Sequence, residues 1–138
     1  MEKEFEILDH TADVGIIAYG GGMAEAFANA GKALFNLITD LDKVDEAESR
    51  DIEVTAPDRE SLLVAWLNEL IFLFDTENII LKRFEISEFS DNHLKARGYG
   101  QKVDTARHEL KVGVKAATYH MLKLEENGGS KVQVLFDI

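Results

Sequence analysis

One segment constrains the fold of this sequence more than any other, because residues 61 to 76 carry apolar side chains at helical spacing in a stripe too wide to face water. We predict that this segment is the central helix of the core, with Asp58 as its N-cap. The apolar residues of the stripe are Leu62, Leu63, Trp66, Leu67, Leu70, Ile71 and Phe74. Phe72 falls among the same leucines, and we assign it, with Trp66 and Phe74, to the core rather than to a base-stacking platform.

The rest of the chain divides into a second helix and several strands. Apolar residues recur at three and four positions between 23 and about 40, which predicts an amphipathic helix packed on a sheet. Turn residues at 90–92 and 127–130 indicate two hairpins. The mostly charged residues 40–50 are predicted as a solvated loop, and residues 104–110 favour no element. Alternating or continuous apolar runs predict strands over residues 4–8, 14–19, 51–56, 79–89, 93–103, 111–125 and 131–136.

These elements together predict an α+β protein. Two main helices should pack on a largely antiparallel, mixed β-sheet. No linker rich in Pro, Ser or Gly and no repeat divides the sequence, so we expect residues 1–138 to form a single domain. With 46% hydrophobic residues, the chain has too much apolar material for a disordered polypeptide.

Charge and cysteine content exclude several classes of function. The chain has 15 Lys and Arg against 26 Asp and Glu, a formal net charge of −11. Because non-specific binding to nucleic acid comes mainly from Lys and Arg, we expect no direct nucleic-acid binding, and a role near RNA would need a partner protein. The absence of cysteine excludes disulfides, thiolate nucleophiles and zinc sites built on Cys.

Nothing in the sequence suggests export or a membrane. The first five residues lack the basic segment and the apolar run of a signal peptide. No stretch approaches the ~18 uncharged apolar residues of a membrane span. We therefore expect a soluble, cytoplasmic protein that does not associate with membranes.

The polar segment between the first two strands is the first candidate site. Asp9, His10 and Asp13 provide two carboxylates and an imidazole within five residues, which could supply ligands to a cation. The alternative is an Asx-type turn, in which the side chain of Asp9, Thr11 or Asp13 bonds to nearby backbone amides. The local sequence by itself favours the turn.

The C-terminus is the second candidate site, because a strand runs to the last residues in place of a polar tail. Leu135 and Asp137 share the face opposite to Val134 and Phe136. If the side chain of Ile138 anchors the terminus, its α-carboxylate is fixed beside the carboxylate of Asp137, and these two anions need a cation or a cationic side chain. Otherwise the strand end is exposed to water, which screens both charges. This segment alone leaves the two alternatives open.

The histidines offer weaker candidates. In a strand, Lys115 and His120 fall on opposite faces, so they need not meet. His120 is a candidate ligand or general base, although a lone His in a sheet is more often a hydrogen-bonded structural residue. His93 and His108 are predicted at the surface. Glycines 20–22 precede a helix, but no Gly-Lys-Ser/Thr sequence follows, so a phosphate loop is not predicted.

Three segments, taken in order, resemble the archease family over essentially the whole chain. They are Asp9-His10-Thr11-Ala12-Asp13-Val14-Gly15, Lys115-Ala116-Ala117-Thr118-Tyr119-His120 and Val134-Leu135-Phe136-Asp137-Ile138. The resemblance implies a small acidic cofactor of the tRNA-splicing RNA ligase, which joins 2′,3′-cyclic phosphate or 3′-phosphate ends to 5′-hydroxyl ends. It implies a non-catalytic activator that promotes guanylylation of the ligase's active-site His, supports multiple turnover and broadens the ligase's choice of nucleoside triphosphate.

The resemblance also implies a metal site with calcium as the cofactor. Asp13, Asp137 and the main-chain carboxylate of Ile138 are the expected ligands. Oxygen ligands favour a hard cation over zinc, so Mg²⁺ or another divalent cation is the alternative to Ca²⁺. The residues that match the family's segments and that we expect beside the metal or facing the partner are Asp9, His10, Lys115 and His120.

Two further functions are weighed against this one. The first is a chaperone or specificity factor for a tRNA-modifying methyltransferase, a role to which some archeases are linked. The second is a small metal-dependent hydrolase that uses a metal-bound water near Asp13 and His120. The hydrolase is disfavoured because the sequence offers no paired base and oxyanion donors. The expected partner is therefore the RNA ligase.

Overall fold

The structure, a computed structural model, describes residues 3–9 and 13–138, the side chain of Asp9 excepted. Two long helices pack with two antiparallel sheets. The elements in chain order are β1 (Phe5–Asp9), β2 (Asp13–Gly20), α1 (Met23–Ile38), β3 (Glu48–Thr55), α2 (Arg59–Glu77), β4 (Ile79–Phe89), β5 (His93–Lys102), β6 (Ala116–Ala117), β7 (Lys123–Glu126) and β8 (Ser130–Asp137). A single 3₁₀ turn, Leu41–Lys43, follows α1. Within the described ranges, neither helix combines the length and the apolar character that crossing a membrane requires.

The strands are distributed over two sheets that share one apolar core. The first sheet has the order β1-β2-β8-β6, with β7 also paired to β8, and the second has the order β3-β5-β4. All pairings between the described strands are antiparallel. α1 contacts both sheets, through β2 and β8 of the first and β4 of the second. β8 therefore has neighbours on both sides, with β2 along its whole length and β7 or β6 opposite.

The α+β class, the two helices and the two hairpins are confirmed, but the strands form two sheets where one is predicted. The loop predicted over 40–50 is wrong at its end, because β3 begins at Glu48. Arg50 lies on the same face of β3 as the buried Ile52, and its Nε donates to Glu77 of α2 at 2.7 Å. A charged residue on the inner face hides the apolar alternation of this strand from the sequence.

α2 is the buried central helix that the sequence predicts. Its N-cap is Asp58, whose carboxylate accepts a hydrogen bond from the backbone N–H of Ser61 at 2.8 Å. This hydrogen bond holds the pKa of Asp58 below its ordinary value. Trp66 is fully buried, and its indole N–H donates to the carbonyl of Phe27 on α1 at 2.8 Å. The cap and this buried contact set where α2 begins and how it meets α1.

The assignment of Phe72 to the core is wrong, since 57% of this residue is exposed. Trp66 is buried and Phe74 packs against the core, as predicted. Leu73 is also buried, whereas Asp75 on the same side as Phe72 is exposed. α2 therefore keeps one narrow face toward water. Helical spacing cannot identify that face, because apolar residues cover most of the circumference of the helix.

The segment between β5 and β7 differs most from the prediction. A continuous strand is predicted from residue 111, but only Ala116–Ala117 pairs before β7 begins. His108 is 3% exposed and not at the surface, so that prediction is wrong. Its Nδ1 accepts from the N–H of Asp104 at 3.0 Å, and its Nε2 lies 2.9 Å from the carbonyl of Lys43. Side-chain contacts to backbone hold this segment, and they produce no apolar period in the sequence.

The close approach of β4 and β5 at Gly100 gives a test of the fold. A Cβ at Gly100 would overlap the carbonyl oxygen of Ile80, whereas a Cβ at the exposed Gly113 would meet no atom within 4 Å. We expect Gly100→Ala to lower the free energy of unfolding by roughly 1–3 kcal/mol or more, because backbone atoms must move. The control, Gly113→Ala, should change it by less than about 1 kcal/mol. Equal effects of the two substitutions in a urea titration would contradict this packing.

Candidate functional site

The last residues of the chain belong to β8, an inner strand of the first sheet that is paired on both sides. β8 pairs with β2 up to Asp137, and Ala116 of β6 is the register partner of Asp137 on the other side. The backbone N–H of Lys115 donates to the carbonyl of Asp137 at 2.8 Å. The N–H and the Oγ1 of Thr118 both donate to the carbonyl of Leu135, each at 3.0 Å. These hydrogen bonds oppose the fraying that is usual at a chain terminus.

Asp13 and Asp137 are directly opposed in the pairing of β2 with β8. Opposed residues of an antiparallel pair project from the same face, with Cβ atoms roughly 4.5–5.5 Å apart. Their neighbours Val14 and Phe136 are also opposed to each other and are buried in the core, so the two aspartates lie on the other face. Asp13 is half-buried and Asp137 is exposed. Two carboxylates from opposite ends of the sequence are thus side by side.

Ile138 follows Asp137 directly, and its side chain does not anchor the terminus. This residue is 48% exposed. The position of the terminal carboxylate depends instead on the backbone hydrogen bonds of the residues before it. The strand end therefore fits neither alternative completely. Neighbouring strands order its backbone, and its side chains still reach water.

The other predicted site residues divide by location. Lys115 is exposed, and its backbone contact with Asp137 puts it at the same end of β8. His120 lies beyond β6, next to Met121, whose carbonyl accepts from Gln133 Nε2 at 3.0 Å.

The opening segment is described only in part. Asp9 is the last residue of β1 and the register partner of Val14. His10 lies outside the described residues. The described part therefore brings Asp13, Asp137, Ile138 and Lys115 to one end of the sheet.

The charges at this end have little local compensation. No ion pair among the described residues involves Asp13 or Asp137. Among the described side chains, those of residues 3–8 and 13–138, no three Asp, Glu or His are grouped closely enough to hold a metal ion. A three-donor site would need the terminal carboxylate of Ile138 as its third donor, or a side chain from outside these ranges. Such an all-oxygen set suits Ca²⁺ or Mg²⁺.

Sequence reasoning missed Asn68. Its Oδ1 accepts a hydrogen bond from the backbone N–H of Ala117 at 2.8 Å, which connects α2 to β6 beside the end of β8. The signal that could have found it is its position, since Asn68 is an amide between Leu67 and Leu70 in the helix with the wide apolar stripe. A polar side chain at such a position usually has a hydrogen-bond partner.

Comparisons with known proteins agree with the fold and identify the family. The model of the Archease protein family matches residues 5–138. The chain belongs to the archease family. It is 43% identical over 140 residues to the archease of Methanothermobacter thermautotrophicus, with 99% of each chain covered. It is 40% identical over 141 residues to the archease of Methanosarcina mazei, with 99% of this chain and 97% of the relative covered.

Solved structures show the same fold. The chain is similar to the solution structure of Methanobacterium thermoautotrophicum protein 1598, with a TM-score of 0.79 and 39% identity over 98% of this chain and 99% of that one. It is also similar to the crystal structure of a Thermotoga maritima archease named a possible chaperone, with a TM-score of 0.63 and 22% identity over 100% and 98%. At that identity, the second likeness shows the fold alone.

The paired aspartates generate a prediction for this archease in the absence of metal. Like charges on opposed residues destabilise an antiparallel pair, so Asp137→Asn should raise the free energy of unfolding at low ionic strength by roughly a few tenths of a kcal/mol. Salt at about 1 M, where the screening length is only ~3 Å, should remove most of this gain. Thermal unfolding in the presence of a chelator measures both effects.

The matched control for this prediction is a charge pair between β7 and β8 of the same sheet. Glu125 is the register partner of Lys131, with its carboxylate 3.5 Å from Nζ. Glu125→Gln removes an attraction and should shift stability in the opposite direction. A loss of stability in Asp137→Asn at low ionic strength would contradict repulsion between Asp13 and Asp137.

Proposed function

We propose that this archease is a non-catalytic activator of a tRNA-splicing RNA ligase, and that it promotes guanylylation of the ligase's active-site His. Family membership supports this class of function. The observation that carries the proposal is the pairing of Asp13 with Asp137, which collects acidic groups at one end of an otherwise ordinary α+β domain. An exposed acidic end of this kind suits contact with a basic, phosphate-handling surface of a partner enzyme.

We further propose that this end holds a divalent cation, with calcium as the first candidate and magnesium as the alternative. The carboxylates of Asp13 and Asp137 and the main-chain carboxylate of Ile138 would be the ligands. Three anionic oxygen groups fit a hard cation, which would supply positive charge where these groups otherwise repel one another. β2 and β6 hold the last residues of β8 on both sides, so the donor groups would already be ordered when a cation binds.

In the ligase complex, the acidic end would dock near the ligase's metal and nucleotide site. Guanylylation transfers GMP from GTP to a His nitrogen and releases pyrophosphate. The carboxylates of Asp13 and Asp137 would position metal or ligase groups for this transfer, while Lys115 at the same end would approach the ligase or its nucleotide. Asp9 and His10 belong to the same proposed surface by their place in the sequence. Repeated turnover and a wider choice of nucleoside triphosphate would follow from faster guanylylation.

Two alternatives receive less support. A metal-dependent hydrolase would need a paired base and oxyanion donors, which the sequence does not offer. A chaperone or specificity factor for a tRNA methyltransferase would also act on a partner protein. This alternative predicts no effect on ligase guanylylation. Measuring that reaction therefore separates the preferred function from both alternatives.

The ligase experiment compares three single substitutions. Asp13→Ala and Asp137→Ala should each reduce the stimulation of guanylylation by at least about tenfold, because each removes a proposed ligand. Glu60→Ala is the control, because Glu60 is an exposed carboxylate on α2. It follows Arg59, whose guanidinium forms an ion pair with Asp91 in the turn between β4 and β5. Incorporation of radiolabelled GMP into the ligase is the readout. Full stimulation by both aspartate variants, with their folds intact by circular dichroism, would contradict the proposal.

The terminal carboxylate has its own test. Adding one glycine after Ile138 moves the carboxylate away from Asp137, and the affinity for calcium should fall by at least about tenfold in a calorimetric titration. Ile138→Val is the matched control, because it keeps the carboxylate in place and changes a side chain that is 48% exposed. Equal calcium affinities of the extended and the unextended chain would exclude the main-chain carboxylate as a ligand.

A further inference from the structure

We propose that Asn68 is a positioning residue that holds β6 against the end of β8 and thereby keeps the carboxylates of Asp137 and Ile138 in place. The inference rests on the metal site and function proposed above. Asn68 lies on α2, and its Oδ1 accepts from the N–H of Ala117 at 2.8 Å. Asn68 is not one of the proposed ligands, so it would act through the backbones of β6 and β8.

The backbone amides of this segment bond in two directions. The N–H groups of Lys115 and Thr118 donate to the carbonyls of Asp137 and Leu135 on β8. The N–H of Ala117 donates instead to Asn68, which supplies the acceptor that a further strand would otherwise provide. β6 is thus the last strand on this side of the sheet, and the side chain of Asn68 takes the place of its missing neighbour.

β6 is a short strand, and the buried side chain of Ala117 packs in the core. The strand is two residues long, and no strand or helix lies between β5 and β6. Asn68, in contrast, projects from a helix whose neighbouring residues Trp66, Leu67 and Leu70 are fully buried. A buried helix therefore supports the outer side of a short strand through this side-chain hydrogen bond. Without that acceptor, the N–H of the buried Ala117 would lack a partner, and the segment would open more readily.

The consequence reaches the acidic end through β8. Opening of β6 removes the hydrogen bond from Lys115 to Asp137 and leaves the last residues of β8 paired on one side only. A strand end that is paired on one side only frays more easily. Asp137 and Ile138 would then be ordered only at the moment a cation binds, not before it. That ordering cost lowers affinity without any change in the ligands themselves.

The chain provides a matched control in Asn29. This residue lies on α1, is half-buried like Asn68, and donates from Nδ2 to the carbonyl of Tyr19 at 2.7 Å. Tyr19 is at the far end of β2, opposite Lys131. Asn29 therefore makes the same kind of helix-to-sheet contact on the same sheet, but away from Asp137.

The experiment measures two quantities in the full chain. Amide hydrogen exchange by NMR reports opening at Lys115, Ala117 and Thr118, and terbium luminescence reports cation affinity. We expect Asn68→Leu to speed exchange at Lys115 and Thr118 by about tenfold or more, and to weaken terbium binding by a comparable factor. Asn68→Asp keeps an acceptor oxygen and should restore slow exchange. Asn68→Ala is measured alongside, so that a failure of the leucine variant to fold does not end the test.

Each outcome has a definite meaning. Unchanged exchange at Lys115 and Thr118 in the leucine and alanine variants overturns the inference. So does an equal increase in Asn29→Leu, because the effect would then be general destabilisation. Faster exchange with terbium affinity equal to that of the wild type overturns the positioning role and leaves the proposed function standing. A wild-type chain that neither binds terbium nor stimulates the ligase contradicts the proposed function, and the exchange rates still decide whether Asn68 holds β6.

Discussion

The pairing of β8 with β2 is the interaction on which the acidic end of this molecule depends. It aligns Asp137 with Asp13 and supplies backbone hydrogen bonds to the last residues of the chain. The same pairing turns Val134 and Phe136 inward, where both are fully buried. The same register of β2 and β8 therefore buries Val134 and Phe136 on the inner face and places the two aspartates side by side on the other face. A slip of one residue would exchange the two faces, so the core fixes where the carboxylates lie.

The second sheet is joined to this arrangement through the helices. Phe84 of β4 packs edge-to-face on Trp66 of α2, with ring centroids 5.3 Å apart, and stacks near Phe35 of α1 at 6.4 Å. Gly31 of α1 allows this approach, because a Cβ there would come within 3.0 Å of Phe84 and Leu70. One aromatic cluster thus connects both helices to the second sheet. α2 in turn carries Asn68, so the packing of the core extends to the strand beside Asp137.

Carboxylates on the second sheet have cationic partners that the pair of Asp13 and Asp137 lacks among the described residues. On the outer face of the second sheet, Arg97 donates to Asp51 at 2.8 Å and Arg83 donates to Glu46 at 3.0 Å. Each hydrogen bond holds the pKa of its carboxyl below the ordinary value. Exposed pairs of this kind add little stability, but they leave few isolated charges on that face. Among the described residues, Asp13 on the first sheet has no such partner. The location of a few carboxylates is therefore more informative about function than the net charge of −11.

Most of the fold follows from local patterns, because helical and strand periods, turn residues and caps such as Asp58 are properties of neighbouring residues. The sequence by itself determined the two helices, most of the strands, the α+β class and the segments that resemble the archease family. It did not determine the segment between β5 and β7, which side-chain contacts to backbone hold in place. Only the tertiary structure decided that Asp13 lies opposite Asp137 and that Asn68 bonds to the short strand beside them. Pairing between strands from opposite ends of a chain depends on the packing of the whole core, and no local pattern records it.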